Sequence, residues 1–314
     1  MTTPSPFRNI LLIGAGGSIG RIVLSALLAE PSFTITILQR ASSRARLPPN
    51  PNLTVITVPD TYPTADLILA FKSQDAVVNC MTTSSVSEQY RIIDAAIAAG
   101  VRRYSPSEYG LNNANAAAQA LSSSVFAAKG AVQAYLKEKA AEGRIEWMSI
   151  ASGMWVAWAI PHDFMGMHVR KRRFEMFDDG EGRVSCSSEA NTAKAIVVGL
   201  TTRVKETRNR VVYLQDYSVS QRELFAEVER QVGGEKFEVD VFDSLKRAAE
   251  KKEEVREGSV QAVYDLVNIG FMTGRYGGFF EKEGEILNEV LGLERTTLEE
   301  EVADGLRRLQ GGGN

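Results

Sequence analysis

A glycine-rich turn near the amino terminus constrains the fold of this chain more than any other feature. The segment Gly14–Gly20 reads GAGGSIG and directly follows Asn9–Ile13, an apolar run typical of a buried strand. A helical pattern starts at Ser18. Glycines between a strand and a helix allow a tight turn, a close approach of the main chain to a phosphate, and close helix packing. We therefore predict a strand–turn–helix unit that binds the pyrophosphate of a dinucleotide.

The helix amino terminus completes this prediction. The first N–H groups of a helix have no partner within it, so this end favours negative charge. A glycine-rich turn without a ligand is the alternative, but the surrounding strand and helix patterns favour the dinucleotide. The cofactor contacts expected in this unit are Gly14, Gly16, Gly17, Ser18, Ile19 and Gly20.

Strand and helix patterns alternate through the first 155 residues. This alternation is typical of a parallel sheet with helices on both faces. A long helix is predicted at Ser122–Ala141, and the sixth strand ends at Ile150. We expect an α/β protein with a doubly wound parallel sheet of the Rossmann type in residues 1–155. A smaller, mostly helical substrate lobe follows in residues 156–314, and a strand at residues 210–214 returns to the sheet.

The end of the second strand distinguishes two dinucleotides. An acidic residue there would accept a hydrogen bond from the ribose 2′-hydroxyl of NAD, whereas an arginine can pair with the 2′-phosphate of NADP. The strand ends at Arg40. Arg44 and Arg46 follow it, and no carboxylate lies between Arg40 and Arg46. Arginines are also common on surface loops, but the missing acid favours NADPH. Arg40 is the residue expected at the 2′-phosphate.

The composition excludes several classes of protein. Lys and Arg number 36 against 39 Asp and Glu, a net charge of −3, so nothing indicates a nucleic-acid or membrane-surface protein. Two cysteines and two histidines provide neither a disulfide framework nor the usual zinc ligands. No signal-peptide pattern and no apolar run of about 20 residues occurs. We expect a metal-free, cytoplasmic protein that acts on a small molecule. Whether it forms a homodimer is left open by the sequence.

Three segments give the chain a resemblance to a known family. They are the glycine turn, the run from Gln89 to Gly110 that ends in Ser-Pro-Ser-Glu-Tyr-Gly, and Tyr213–Leu224. Together they resemble the isoflavone reductase-like group of the NmrA-like family. These are atypical short-chain dehydrogenases that include phenylcoumaran benzylic ether and pinoresinol-lariciresinol reductases. The resemblance implies a modified Rossmann fold with NADPH across the carboxyl ends of the strands.

The resemblance also implies a catalytic lysine on the helix after the Ser-Pro-Ser-Glu-Tyr-Gly run, by position Lys129. Standard short-chain dehydrogenases use Tyr-x-x-x-Lys, where the lysine holds the nicotinamide ribose and helps the tyrosine donate a proton. Val125 replaces that tyrosine, so Lys129 would hold the ribose of the cofactor and serve, directly or through water, as proton donor or base. An exposed helix lysine is the alternative, but the four preceding residues are apolar. The second match, Tyr135-x-x-x-Lys139, is better explained as a charged helix end.

Further cofactor and polar contacts are expected after later strands. Thr82 and Thr83 follow the fourth strand, where the adenosine and pyrophosphate pass in related folds, and Gly153 follows the sixth. Ser107 and Tyr109 are candidates for polar contacts.

The segment after Gly153 is rich in aromatic residues and methionine. It suits either a plain core or a pocket for an aromatic substrate. His162 within it is, as a lone histidine, more often structural than a proton shuttle. The expected substrate contacts are Tyr109, Met154, Trp155, Trp158, His162 and Phe164.

Two functions follow from the resemblance. The first is hydride transfer from NADPH to an aromatic or heterocyclic secondary metabolite, at a C=C, C=O or C=N bond or a benzylic ether. The second is a dinucleotide-sensing regulator that binds a protein partner without catalysis. The hallmark of such regulators is loss of the catalytic lysine. Because Lys129 is retained, the enzyme is the favoured interpretation.

Overall fold

A computed structural model describes residues 7–82, 86–234 and 236–311. The strands in these ranges are β1 (Asn9–Ile13), β2 (Thr34–Arg40), β3 (Leu53–Val58), β4 (Ala76–Asn79), β5 (Arg103–Ser105), β6 (Glu146–Ala151), β7 (Met167–His168), β8 (Arg173–Phe177), β9 (Arg183–Cys186), β10 (Arg210–Tyr213), β11 (Tyr217–Ser220) and β12 (Glu238–Phe242). The α-helices are α1 (Ser18–Ala29), α2 (Thr64–Phe71), α3 (Glu88–Ala98), α4 (Ala116–Leu121), α5 (Ala128–Ala141), α6 (Val156–Ala159), α7 (Glu189–Leu200), α8 (Gln221–Gln231), α9 (Ser244–Arg256), α10 (Val260–Met272) and α11 (Leu298–Gln310).

The chain forms two compact units, each assembled from several segments. The first consists of Met1–Glu108, Ala131–Ile150 and Glu189–Val212. The second consists of Tyr109–Gly130, Ala151–Ser188 and Tyr213–Asn314. The sequence predicts a division at residue 155 and a strand at residues 210–214 that returns to the sheet of the first part. In the structure the segment that carries Lys129 falls in the second unit, and α7 falls in the first.

The first unit contains a seven-stranded sheet with the order β10-β6-β5-β4-β1-β2-β3. Neighbouring strands from β3 to β6 are parallel. Helix α1 packs on α7, and α2 packs on α3. The strand order of the Rossmann fold reverses between β1 and β4, and such sheets bind ligands at the carboxyl ends of the strands on either side of that switch point. The predicted fold class is confirmed.

The two strands at the switch point are central strands by sequence. Residues 10–13 of β1 and 76–78 of β4 are apolar and buried. Continuous apolar runs are typical of parallel strands covered on both faces. In β4 the first polar residue is Asn79, the last residue of the strand.

The second unit contains strands that the sequence analysis omitted. It holds a three-stranded sheet, β12-β8-β7, and a two-stranded sheet, β11-β9. The predicted helical region is confirmed, since α8, α9, α10 and α11 all follow Ser220. In the core of this unit, Phe174 stacks on Phe225 and Phe237 with ring centroids 4.1 and 4.6 Å apart. The missed strands have only two to five residues each, so the alternation of polar and apolar residues in β8 (RFEMF) and β12 (EVDVF) is too short to stand out.

The long helix predicted at Ser122–Ala141 is divided in the structure. Helix α4 ends at Leu121, Ser122 is extended, a π-helical turn covers Ser123–Ala127, and α5 starts at Ala128. Single π-helical turns are frequent at functional sites. This one ends at Ala127, two residues before Lys129.

Two negative findings concern the described ranges. No helix within them is long and apolar enough to cross a membrane. In the same part of the chain, no group of three His, Cys, Asp or Glu side chains could hold a metal ion. Cys80 and Cys186 are both buried, and no disulfide joins them.

Candidate functional site

The glycine turn lies at the switch point of the sheet. Gly14 has a positive φ of 80°, and a Cβ there would lie 2.4 Å from the carbonyl oxygen of Cys80. A Cβ on Gly20 would lie 2.1 Å from the carbonyl oxygen of Gly14. The Cys80 N–H donates to the Ile13 carbonyl at 2.9 Å. Glycine is therefore required for the turn to pack on the residue after β4 and for α1 to start beside the turn.

The amino terminus of α1 is accessible and carries no acidic residue in its first turn. The Gly17 N–H donates to the Gly14 carbonyl at 3.0 Å. Gly17 and Ser18 are exposed, whereas Ile19 is buried and anchors the helix. An exposed helix amino terminus beside glycines fits a pyrophosphate, because main-chain N–H groups and the helix dipole both favour an anion.

Exposed arginines lie at the end of β2 and on the loop that follows it. Arg40 is exposed at the end of β2. The loop that follows returns to the glycine turn, since a Cβ on Gly16 would lie 2.6 Å from the Cβ of Ala45. Arg44 and Arg46, on either side of Ala45, are both exposed. The residues on both sides of the one that approaches the turn are therefore exposed arginines.

One carboxylate lies near the same loop. Asp60 accepts a hydrogen bond from the Ser42 N–H at 2.9 Å. Hydrogen bonds to the side chain and main chain of Ser42, with a smaller effect of the Arg40 charge, lower the pKa of Asp60 below its ordinary value. The ionised carboxylate thus holds the loop. The sequence analysis did not consider Asp60 because it follows the third strand, not the second.

A buried polar network, which we call the Asn79 network, lies at the carboxyl ends of β4 and β5. Asn79 Nδ2 donates to the Tyr104 hydroxyl at 2.8 Å and to Gln89 Oε1 at 3.4 Å. Gln89 Oε1 also accepts from the Ser107 N–H at 3.0 Å. None of these four residues is more than 6% exposed. Burial raises the pKa of Tyr104 above its ordinary value, so its hydroxyl stays neutral.

Of this network, the sequence analysis considered only Ser107. A signal for Gln89 was present, because it shares one face of α3 with the apolar residues Ile92, Ile93 and Ala96. A polar side chain on the apolar face of a helix indicates a buried partner. Of the two threonines predicted after β4, Thr82 is exposed and Thr83 lies outside the described residues.

Lys129 is the second residue of α5 and is half-buried. The next residue, Gly130, packs closely on the loop after Tyr109. A Cβ on Gly130 would lie 2.4 Å from the Asn113 carbonyl oxygen, which also accepts from Gln119 Nε2 at 2.9 Å. The first turn of α5 is thus fixed against this loop. The main chain at Lys129 is consequently well anchored.

Tyr135 and Lys139, the residues of the second Tyr-x-x-x-Lys match, both interact with acidic side chains. The Tyr135 hydroxyl donates to Asp94 at 2.5 Å. Lys139 pairs with Glu138 at 2.6 Å and Glu142 at 3.2 Å. Such pairs are typical of a charged helix end.

The structure brings Gly153 and the Tyr109 loop together. The Gly153 N–H donates to the Gly110 carbonyl at 3.1 Å. Gly153 has a φ of 64°, and a Cβ there would lie 1.9 Å from the Ser185 carbonyl oxygen, so only glycine fits. Tyr109 is half-buried and has a positive φ of 41°, an uncommon conformation for a side-chain-bearing residue. Met154 is 5% exposed and belongs to the core.

Three of the expected substrate residues form an aromatic cluster. The rings of Trp158 and His162 stack with centroids 4.3 Å apart, and Phe164 meets Trp158 edge to face at 5.7 Å. His162 is exposed, and its Nδ1 lies 2.6 Å from the Trp158 carbonyl oxygen. The indole N–H of Trp158 is buried and has no acceptor among the residues that the structure describes. Trp155 is half-buried at the start of α6.

Comparison with known proteins gives one family and one fold. The NmrA-like family model matches residues 7–238. The oxidoreductase aprR of Aspergillus flavus is 30% identical over 299 residues, which cover 95% of this chain and 99% of that protein.

Solved structures agree with this match. The complex of leucoanthocyanidin reductase with NADPH from Vitis vinifera superposes with a TM-score of 0.75 at 17% identity, covering 95% of this chain and 99% of that one. An isoflavone reductase superposes with a TM-score of 0.73 at 18% identity, covering 94% and 98%. The resemblance seen in the sequence is confirmed, and the fold extends over nearly the whole chain.

Proposed function

Because the chain belongs to the NmrA-like family and is an isoflavone reductase-like oxidoreductase, we propose that it transfers hydride from NADPH to a small aromatic or heterocyclic metabolite. The observation that carries this proposal is the glycine turn at the switch point, with an accessible helix amino terminus and exposed arginines beside it. This arrangement suits a dinucleotide that carries an additional phosphate.

The preference for NADPH rests on Arg40 and its neighbours. A guanidinium can form paired hydrogen bonds with a phosphate, and Arg44 and Arg46 add positive charge in the same loop. The nearby carboxylate, Asp60, already accepts a hydrogen bond from Ser42. NADH would bring no partner for these arginines, so it is expected to bind more weakly.

The proposed chemistry divides between cofactor and protein. When bound, NADPH supplies the hydride from C4 of its nicotinamide. The protein must hold the substrate and move one proton. Lys129 is the proposed proton donor or base, directly or through water, since Val125 stands where a tyrosine acid would be. The packing of Gly130 on the Asn113 loop supports this role, because proton transfer needs a fixed donor.

The aromatic cluster supports an aromatic substrate. Trp158, His162 and Phe164 offer ring faces and edges for stacking. The buried indole N–H of Trp158 would gain an acceptor if a substrate oxygen reached it. The bond that is reduced, C=C, C=O, C=N or a benzylic ether, is part of what the experiment must identify.

A turnover assay tests the proposal. The purified protein is mixed with NADPH and a panel of aromatic enones, ketones, cyclic imines and benzylic ethers, and the absorbance of the reduced nicotinamide is followed. We expect oxidation of NADPH with at least one substrate class and weaker activity with NADH. Tight NADPH binding without turnover on the whole panel would instead support a dinucleotide-sensing regulator.

A further inference from the structure

We propose that the Asn79 network positions the main chain of Cys80 and Met81 at the dinucleotide site and thereby sets the affinity for NADPH without touching it. The inference rests on the proposed function, because it takes the switch point to be the cofactor site. Its four members, Asn79, Gln89, Tyr104 and Ser107, are positioning residues.

The network holds both main-chain polar groups of Met81. Asn79 Oδ1 accepts a hydrogen bond from the Met81 N–H at 2.8 Å. Ser107 Oγ donates to the Met81 carbonyl at 2.7 Å. Side chains therefore provide the hydrogen bonds to the main chain that a neighbouring strand provides elsewhere in the sheet. The peptide planes on both sides of Met81 are fixed as a result.

The glycine turn holds the same segment from the other side. The Cys80 N–H donates to the Ile13 carbonyl, and the Cys80 carbonyl oxygen occupies the space that a Cβ on Gly14 would need. Cys80 and Met81 are thus held between the turn and the network. Binding sites require positions accurate to about 0.5 Å. A shift of this segment would consequently change the shape of the site.

The network is better explained by function than by stability. Asn79 uses both amide atoms, and Gln89 Oε1 accepts twice, yet Gln89 Nε2 is buried without a partner among the described residues. A partly satisfied polar network is worse for folding than apolar packing. The preceding residues of β4 are all apolar, and polarity appears only at the end where a ligand would bind.

Two conservative substitutions test the inference. Ser107→Ala removes the hydrogen bond to the Met81 carbonyl, and Tyr104→Phe removes the acceptor of the Asn79 amide. The Kd for NADPH is measured by titrating the fluorescence of the bound cofactor, and the free energy of unfolding by urea denaturation. Loss of one hydrogen bond corresponds to a rise in Kd of up to about tenfold, which we expect for Ser107→Ala. A smaller rise is expected for Tyr104→Phe, and Ser107→Thr, which keeps the hydroxyl, should restore the wild-type Kd.

Thr207→Val is the matched control. Thr207 is fully buried in the same unit, accepts from Arg103 Nη1 at 3.2 Å and donates to the Arg203 carbonyl at 2.9 Å. Arg103 begins β5, so this hydrogen bond lies at the opposite end of the sheet from the switch point. The control should lower the free energy of unfolding by a similar amount and leave the Kd unchanged.

The possible results separate the two proposals. Wild-type Kd values in both Ser107→Ala and Tyr104→Phe, or an equal rise of Kd in Thr207→Val, would overturn the positioning role while the proposed function stands. An equal rise of Kd in Ser107→Ala and Ser107→Thr, together with an unchanged Kd in Tyr104→Phe, would also overturn it. If the wild-type protein binds neither NADPH nor NADH, the proposed function fails and the inference fails with it.

Discussion

Lys129 lies in the first turn of α5. Four residues before it, where a tyrosine is usual, stands the buried Val125. Lys129→Ala should lower kcat/KM by about 100-fold or more, because general acid–base groups contribute about 10²–10⁴-fold. Lys137→Ala is the control, since Lys137 is exposed on the same helix. Initial rates at varied substrate and saturating NADPH measure the effect.

A second result is needed to interpret this substitution. The Kd for NADPH and the unfolding temperature of both variants show whether Lys129→Ala has simply lost cofactor or structure. Unchanged kcat/KM in Lys129→Ala would mean that Lys129 is not the catalytic lysine.

Arg40 allows a test of the preference between two cofactors. Arg40→Ala should raise the Kd for NADPH by about 10- to 100-fold, which is the effect of losing a charge-assisted hydrogen bond. NADH, which lacks the 2′-phosphate, should bind with unchanged affinity. The two Kd values are measured by fluorescence titration, with Arg144→Ala, an exposed arginine just before β6, as the control. Equal weakening of NADPH and NADH would exclude the 2′-phosphate role.

At the scale of elements, the start of α1 depends on a single glycine. Gly20→Ala would place a Cβ 2.1 Å from the Gly14 carbonyl oxygen. The helix or the turn must then shift, which costs about 1–3 kcal/mol of unfolding free energy. We also expect at least about a tenfold rise in the Kd for NADPH, since the displaced turn forms the pyrophosphate site. Urea denaturation and cofactor titration measure the two effects.

Ser25→Ala provides the comparison on the same helix. Ser25 is exposed on α1, and alanine has the higher helix propensity. This variant should therefore keep the wild-type Kd and lose no stability. A wild-type Kd in Gly20→Ala would show that the turn is not the dinucleotide site.

The predictability of an element depended on how distinctive its residue pattern is. The strand predicted at Asn9–Ile13 has the bounds of β1 in the structure, because four of its five residues are apolar and buried. The helix predicted at Ser122–Ala141 was wrong in its first turns, because extended Ser122 and the π-helical turn interrupt a stretch that contains neither proline nor any other residue typical of a helix break before Gly130. Periodicity does not distinguish a π-helical turn from an α-helical turn of the same composition.

At the scale of the whole molecule, cofactor binding should raise the stability of the folded protein. A ligand that binds only the folded chain at 100 times its Kd raises the free energy of unfolding by about 2.7 kcal/mol. Thermal unfolding with and without NADPH should show a higher midpoint, and NADH at the same concentration a smaller rise. In Arg40→Ala the difference between the midpoints with the two cofactors should become smaller. Equal midpoints with NADPH, NADH and buffer would contradict dinucleotide binding.

The assembly of the two units was not evident from local patterns. The first unit takes in Ala131–Ile150 and Glu189–Val212, and the second takes in Tyr109–Gly130. A change of unit after the third residue of the Lys129 helix leaves no mark in composition or periodicity. It depends on which distant segments pack together.

The sequence by itself determined the fold class, the glycine turn and the apolar central strands. These features depend on residues adjacent in the chain, as when Gly14 adopts a positive φ or when β4 stays apolar over successive residues. Such short-range physics can be read from order alone.

Only the tertiary structure decided which distant residues meet. It joined Asn79, Gln89, Tyr104 and Ser107 into one network, and it returned Ala45 to the glycine turn. The reason is physical: a hydrogen bond between residues far apart in the chain depends on how the strands are ordered and packed. Periodicity along the sequence carries no information about that geometry.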